Sequence, residues 1–270
     1  ANNVLPDILD VNIVSPDPVN VFNTNSLDFY VEVSKGNVPG HSLVSVQGEN
    51  LDVDTPAPEN LWCAGGLMSY PLQPGEQWEL YATDPGDTVA GGAGAQMVLL
   101  DYMDSNYNEQ SEVIAMNGVA SVPTVATNCF RLRAITTIAI GSTGSNIGVI
   151  GARQLGGGLV RGCMAPTYNR TAHGFYTVPM GYTAFFLYGH AAMGKAKDAK
   201  TDLYIAYGDT GIFTRSSFAD LYQNSVTFAP AAPIGSFVEK SDLQFRCTTL
   251  TGNADASAFM QLMIVENAAL

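Results

Sequence analysis

The chain has 270 residues, 46% apolar and only 14% charged, with a mean hydropathy of +0.09 and a formal net charge of −13. That is ample for a buried core, but poor in charge against the ~25% of ordinary soluble domains, as expected of a surface covered by neighbours. The cations are too few and too scattered to displace counterions from phosphates, which excludes a nucleic-acid binder; the nearest basic cluster, Lys195, Lys197 and Lys200, is interrupted by Asp198.

In chain order, residues 1–26 interleave Leu5, Ile8, Val11, Ile13 and Val14 with Pro6, Pro16 and Pro18. Proline lacks a donor and disfavours helix before it, so this stretch reads as an extended arm laid on a neighbour, or equally as an edge strand of its own domain. From residue 27 the pattern is period two or short apolar runs. It predicts strands at Leu27–Val33, His41–Val46, Trp78–Thr83, Gln96–Tyr102, Glu112–Met116, Cys129–Ile140, Ile147–Ala152 and Gly174–Val178. Further strands are predicted at Thr183–His190, Asp202–Tyr207, Gly211–Phe218, Val226–Phe228, Leu243–Leu250 and Ala258–Val265. Gly and Pro punctuate them, and Asn117-Gly118 before Ala120–Val122 is the sharpest hairpin signal. Helix signals are thin, with one turn conceivable at Phe218–Tyr222. The fold class is therefore all-β, an antiparallel sandwich of jelly-roll type. The Gly-rich 155–169 stretch marks a boundary, giving an arm (1–26), a first β unit (27–155) and a second (156–270), or one continuous domain.

The charge is unevenly placed. Residues 1–130 hold one cation, Lys35, against 17 acids, a net −16, whereas residues 131–270 hold 11 cations against 8 acids, a net +3. Such asymmetry speaks to partners and suits head-to-tail contacts between subunits. Cys63, Cys129, Cys163 and Cys247 stand far apart without CxxC spacing and read as small buried hydrophobes kept reduced. With no signal-peptide h-region at the start and no apolar run near 18 residues, the reading is a soluble, cytosol-made protein with no membrane contact.

No motif carries catalysis. His41, His173 and His190 lack a Ser or Cys motif, and GxSxG, HExxH and P-loop patterns are missing. Gly91–Ala95 precedes a strand where a phosphate loop should open a helix, so it reads as a flexible connection. Asp101, Asp104, Glu109 and Glu112 are the strongest enzyme candidate, since paired acids hydrolyse glycosidic bonds. They also faintly resemble a calcium loop, without its central Gly. A solvated acidic hairpin is the preferred reading, as for Asp52 and Asp54. Trp62, Tyr70 and Trp78 could form a sugar-stacking platform, though aromatics beside turns more often plug sandwich ends. Asn169-Arg170-Thr171 matches a glycosylation sequon. The sequence thus assigns no catalytic residue, cofactor or metal ligand.

Several phrases carry a resemblance when taken in order: KGNVPGHS (Lys35–Ser42), LWCAGGLMSYP (Leu61–Pro71), DTVAGGAGA (Asp87–Ala95), LDYMDSNYNEQSEVIAMNG (Leu100–Gly118), GSTGSNIG (Gly141–Gly148), YTVPMGYTA (Tyr176–Ala184) and EKSDLQFR (Glu239–Arg246). The series resembles a family of virion structural proteins of tailed bacteriophages, common in marine phages and cyanophages and sometimes labelled tail fibre. It spans roughly residues 30–267, with one extra residue in the Gly-rich phrase, and leaves out the arm. The resemblance implies a non-enzymatic component of the virion, made in the host bacterial cytoplasm. Its expected partners are copies of itself, as a cyclic oligomer or multi-copy array, and other capsid, neck or tail proteins, with no catalytic residue to transfer. The alternative is a tail protein that binds or depolymerises host-surface glycans.

Overall fold

A computed structural model describes residues 26–270 apart from 55–56, 195–196, 223–224 and 231. The arm at 1–26 lies outside the described residues except for Ser26, which opens helix α1 (Ser26–Ser34). That helix replaces the predicted strand Leu27–Val33. Alternation over seven residues is too short to distinguish the two periods, and local contacts favour the helix. Ser34 Oγ donates to the Tyr30 carbonyl, Lys35 pairs with Glu32 at i,i+3, and Gly36 at φ 76° closes the end. The described residues divide into two units on either side of the Pro39–Gly40 bond.

The unit formed by residues 40–270 is all-β and antiparallel. Its strands are β1 (His41–Val53), β2 (Glu59–Asn60), β3 (Trp78–Ala82), β4 (Ala95–Asp104), β5 (Glu109–Ala115), β6 (Val122–Pro123), β7 (Cys129–Ile140), β8 (Ile150–Gln154) and β9 (Val160–Met164). They continue as β10 (Phe175–Thr177), β11 (Tyr182–Met193), β12 (Asp198–Ala206), β13 (Thr214–Tyr222), β14 (Ser225–Phe228), β15 (Ile234–Phe237), β16 (Asp242–Thr249) and β17 (Ala254–Glu266). They form four sheets: β1-β17-β11-β14 with β15 also on β11; β10-β16-β12-β13 with β2 on β16; β6-β3-β8-β9; and β5-β4-β7.

Alternation decides which side chains meet. In β17 Ala256, Ala258, Met260, Leu262 and Ile264 point inward and share one core with Leu203, Ile205, Leu243, Phe245 and Cys247 of the facing sheet. Trp78, Leu80 and Ile150 share a second core with Val98, Leu100, Ile114 and Ile135. Four sheets in two facing pairs stand in place of one jelly roll. They are nested: the chain leaves the first sandwich after β2, builds the second with β3–β9, and returns with β10. Residues 155 and 156, chosen from sequence as a boundary, fall in the connection between β8 and β9, which pair from Ile150–Met164 to Arg153–Val160.

Two further expectations change for the same reason. Asn117-Gly118 is a turn, but β5 pairs with β4 and β6 with β3, so the chain there crosses between sheets and makes no hairpin. Phe218–Tyr222 belongs to β13, aligned with Asp198–Asp202 of β12. The charge asymmetry along the chain also does not become one between sandwiches. Residues 76–171 carry eight acids and five cations, a net −3, and the remainder of 40–270 carries twelve and six, a net −6. Both bodies are acidic, so the unlike halves of the chain do not become one acidic and one basic body.

Candidate functional site

A concavity of about 740 Å³ lies between the two sandwiches. β1 supplies Val44–Gln47, β4 Asp101 and Tyr102, β5 Glu109–Ser111, β7 Arg133, and the link into β10 Arg170 and His173. Most of its polarity is already engaged. Arg133 pairs with Glu109 at 2.9 Å, donates to the Thr177 carbonyl at 3.3 Å and lies 4.6 Å over the Tyr176 ring. Burial pushes the Asp101 carboxyl up; Arg170 and Arg133 oppose that rise and Glu109 adds to it. Arg170 is exposed, and its charge acts on the Asp101 carboxyl.

His173 forms the floor, buried and stacked on Phe175 at 4.1 Å, with Nδ1 lacking a hydrogen-bond partner. Burial first, then the Arg133 and Arg170 charges, lower its pKa to about 3, so it is a neutral imidazole at physiological pH and no proton shuttle. The unfolded chain protonates near the ordinary value of ~6.5 and the folded chain only near 3, so the unfolded state binds the extra proton between these limits. Stability should therefore fall as pH drops from about 6 towards 3, with a contribution from this residue approaching ~1.4 kcal/mol per pH unit. Urea titrations from pH 7 to 4 should show a shallower acid slope in His173→Gln than in the parent; equal slopes would remove His173 from that role.

The four carboxylates singled out in the sequence are divided. Asp101 and Glu109 line the groove, whereas Asp104 accepts the amides of Asn106 at 2.8 Å and Asn108 at 3.0 Å, and Glu112 accepts the Val125 amide at 2.8 Å. Asp52 accepts from the Asn253 amide group at 3.0 Å. Among the described residues no three His, Cys, Asp or Glu side chains gather where one metal ion could be held.

The sugar platform is not formed. Trp62 is buried with Nε1 donating to the Gly65 carbonyl, and Trp78 is fully buried with Nε1 donating to Glu76 at 3.0 Å. Tyr70 stacks on Phe213 with the Arg131 guanidinium 4.0 Å over its ring. His41 heads β1 opposite Val265, and His190 Nδ1 meets Thr227 Oγ1 at 3.1 Å. Asn169, in the left-handed region at φ 57°, exchanges two bonds with Asn146, so the sequon forms a structural turn.

Two polar centres escaped the sequence reading. Arg131 in β7 forks onto Asp242 in β16, with Nε to Oδ1 at 3.0 Å and Nη2 to Oδ2 at 2.9 Å, and Thr177 Oγ1 donates to the same carboxylate. The pair is almost wholly buried and joins one sandwich to the other. Burial works against the Arg131 charge, but Asp242 outweighs it and holds Arg131 above its ordinary range. An arginine set between Phe130 and Leu132 in a mostly apolar strand was the available signal.

Asp87 is the second. It is fully buried and accepts the amides of Ala95 at 2.7 Å, Ile147 at 3.0 Å and Gly148 at 2.8 Å. The Gly91–Ala95 segment is thus a packed knot and not a flexible connection; a Cβ on Gly94 would lie 2.2 Å from Asp87 Oδ1. Cysteine pairing also departs from expectation. Cys63 and Cys163 form a disulfide across a Cα–Cα distance of 5.9 Å, because nesting brings the segment after β2 beside β9. Cys129 and Cys247 are free and buried.

No family model matches the chain, and no curated protein matches it. Among solved structures it is similar to the STIV MCP at 7% identity and TM-score 0.22, over 81% of this chain and 96% of that one. The infectious bursal disease virus Gx strain structure gives 11% and 0.20, over 83% and 75%, and the VP2 subviral particle of that virus 11% and 0.19, over 88% and 82%. At these scores the superpositions carry no argument about fold or role.

Proposed function

We propose that the chain is a non-enzymatic structural subunit of a virus particle, in the tailed-phage setting that its sequence phrases resemble, as a capsid decoration, neck or tail-associated component. The observation that carries this reading is large apolar side chains left in solvent on a surface short of charge. Leu72 and Val125 are each 87% exposed on neighbouring loops whose bases are joined by the Glu76–Cys129 backbone pair. Solvent-facing Leu and Val at full reach favour burial against a partner, each by about 1.5–3 kcal/mol when wholly covered. The carboxylates support the same reading. Asp87, Asp104, Glu112 and Asp242 accept from amides or a guanidinium within the fold, and are occupied in holding it together.

Copies of itself and other particle proteins are the partners this reading names, in the virion, after synthesis in the host cytoplasm. The 1–26 arm is its attachment element. Deleting residues 1–26 should leave the melting curve of the β unit unchanged while the protein no longer joins the particle. Normal incorporation of the shortened chain would refute the arm's role.

A further inference from the structure

The inward-facing row of the first sandwich runs past its covered core. Ala258 and Met260 of β17 are buried, and the register sets Ala191 and Gly189 of β11 opposite them. Across β11 the row continues to Val226 and Phe228 of β14. These two side chains face as the core residues do, yet Val226 is 39% and Phe228 54% exposed. Phe228 meets Phe186 at 5.6 Å on one side and is open on the other. All four residues of β14 are exposed, and no strand pairs with its outer edge among the described residues.

Free strand edges are ordinarily guarded by charge, proline or a bulge. From Leu221 to Val238 there is no Asp, Glu, Lys, Arg or His, and Pro230 and Pro233 follow β14 without interrupting it. Ile234 of β15, 43% exposed, extends the apolar strip along the same side of β11.

We propose that β14 is a seam at which two copies of this chain join edge to edge about a two-fold axis through Thr227; the inference rests on the assembly reading above and deepens it. The outward amides and carbonyls of one strand edge are matched by those of another, and this edge is complementary to itself. Antiparallel pairing about Thr227 keeps Val226 and Phe228 of both copies on one face and sets Val226 of each against Phe228 of the other. Charge favours a second copy here. Two chains of −13 repel, but beyond ~8 Å exposed charges are screened at physiological salt, so local groups decide, and the Leu221–Val238 stretch carries none.

The test uses the full chain. Thr227→Cys should crosslink into a disulfide dimer under mild oxidation, at least tenfold more than Val238→Cys, while the buried Cys129 and Cys247 stay silent. Sedimentation of the parent should show a species of twice 28.6 kDa. Phe228→Lys should raise the apparent dimer Kd at least tenfold with an unchanged thermal melt, since that side chain is half exposed. Self-association that survives Phe228→Lys, without a Thr227→Cys crosslink, would overturn the seam and leave the assembly reading standing. A chain monomeric in both tests would overturn the seam, and its absence from particles as well would overturn both.

Discussion

Asp242→Ala should destabilise the β unit by about 3–5 kcal/mol, the cost of stranding a buried guanidinium without its counter-charge. Arg131 has no route to water: the Tyr70 and Phe130 rings cover it, each 4.0 Å from the guanidinium carbon. Because the pair joins β7 to β16, the loss should loosen one sandwich from the other, giving a broader unfolding transition and faster amide exchange in β10 and β16. Replacing both partners, Arg131→Met with Asp242→Leu, should recover much of the stability, since an apolar pair carries no desolvation penalty. Urea melts of the two variants decide it. A single-variant loss under ~1 kcal/mol would mean that the pair is hydrated and the two sandwiches are held by something else.

The second large effect is expected at Asp87. Asp87→Ala leaves the amides of Ala95, Ile147 and Gly148 without their acceptor in a site that water does not reach. Each buried unsatisfied donor costs about 1–3 kcal/mol, and partial relaxation brings the sum to about 3–5 kcal/mol. Asp87→Asn should lose less, because its Oδ1 can still accept from Ala95 and Ile147 while its NH₂ group faces the Gly148 amide. Chemical denaturation measures the loss. A variant as stable as the parent would show that the knot between Asp87, the Gly91–Ala95 segment and Ile147-Gly148 is not required.

These two centres mark the limit of what sequence pattern reveals. Period-two alternation found Cys129–Ile140 to the residue and located most other strands within a few positions, since a half-buried strand must alternate. It missed β2 (Glu59–Asn60), β9 (Val160–Met164) and β15 (Ile234–Phe237), which are short, the last two with a glycine inside them. It took α1 for a strand because seven residues fit both periods. Nesting was not legible, because alternation tells which face a residue turns inward but not which sheet it faces. The misplaced reading of the site has the same origin. Asp101 and Glu109 reach a groove only because β1 and β10 of one sandwich lie beside β4, β5 and β7 of the other. Trp62 and Trp78, aromatic and next to turns, serve as core instead. The Asp87 knot was hidden by the Gly-rich phrase, where glycines that permit close packing look the same as glycines that permit motion.

Coverage of this exterior by copies and fellow components of a particle is tested most directly by quantitative mass spectrometry of density-purified particles alongside the soluble fraction of the same lysate. The chain should be found in the particles, in fixed ratio to the major capsid protein and retained through high-salt washing, since apolar contacts are not screened. Recovery of the chain only in the soluble fraction, as a 28.6 kDa monomer, would contradict the proposed role.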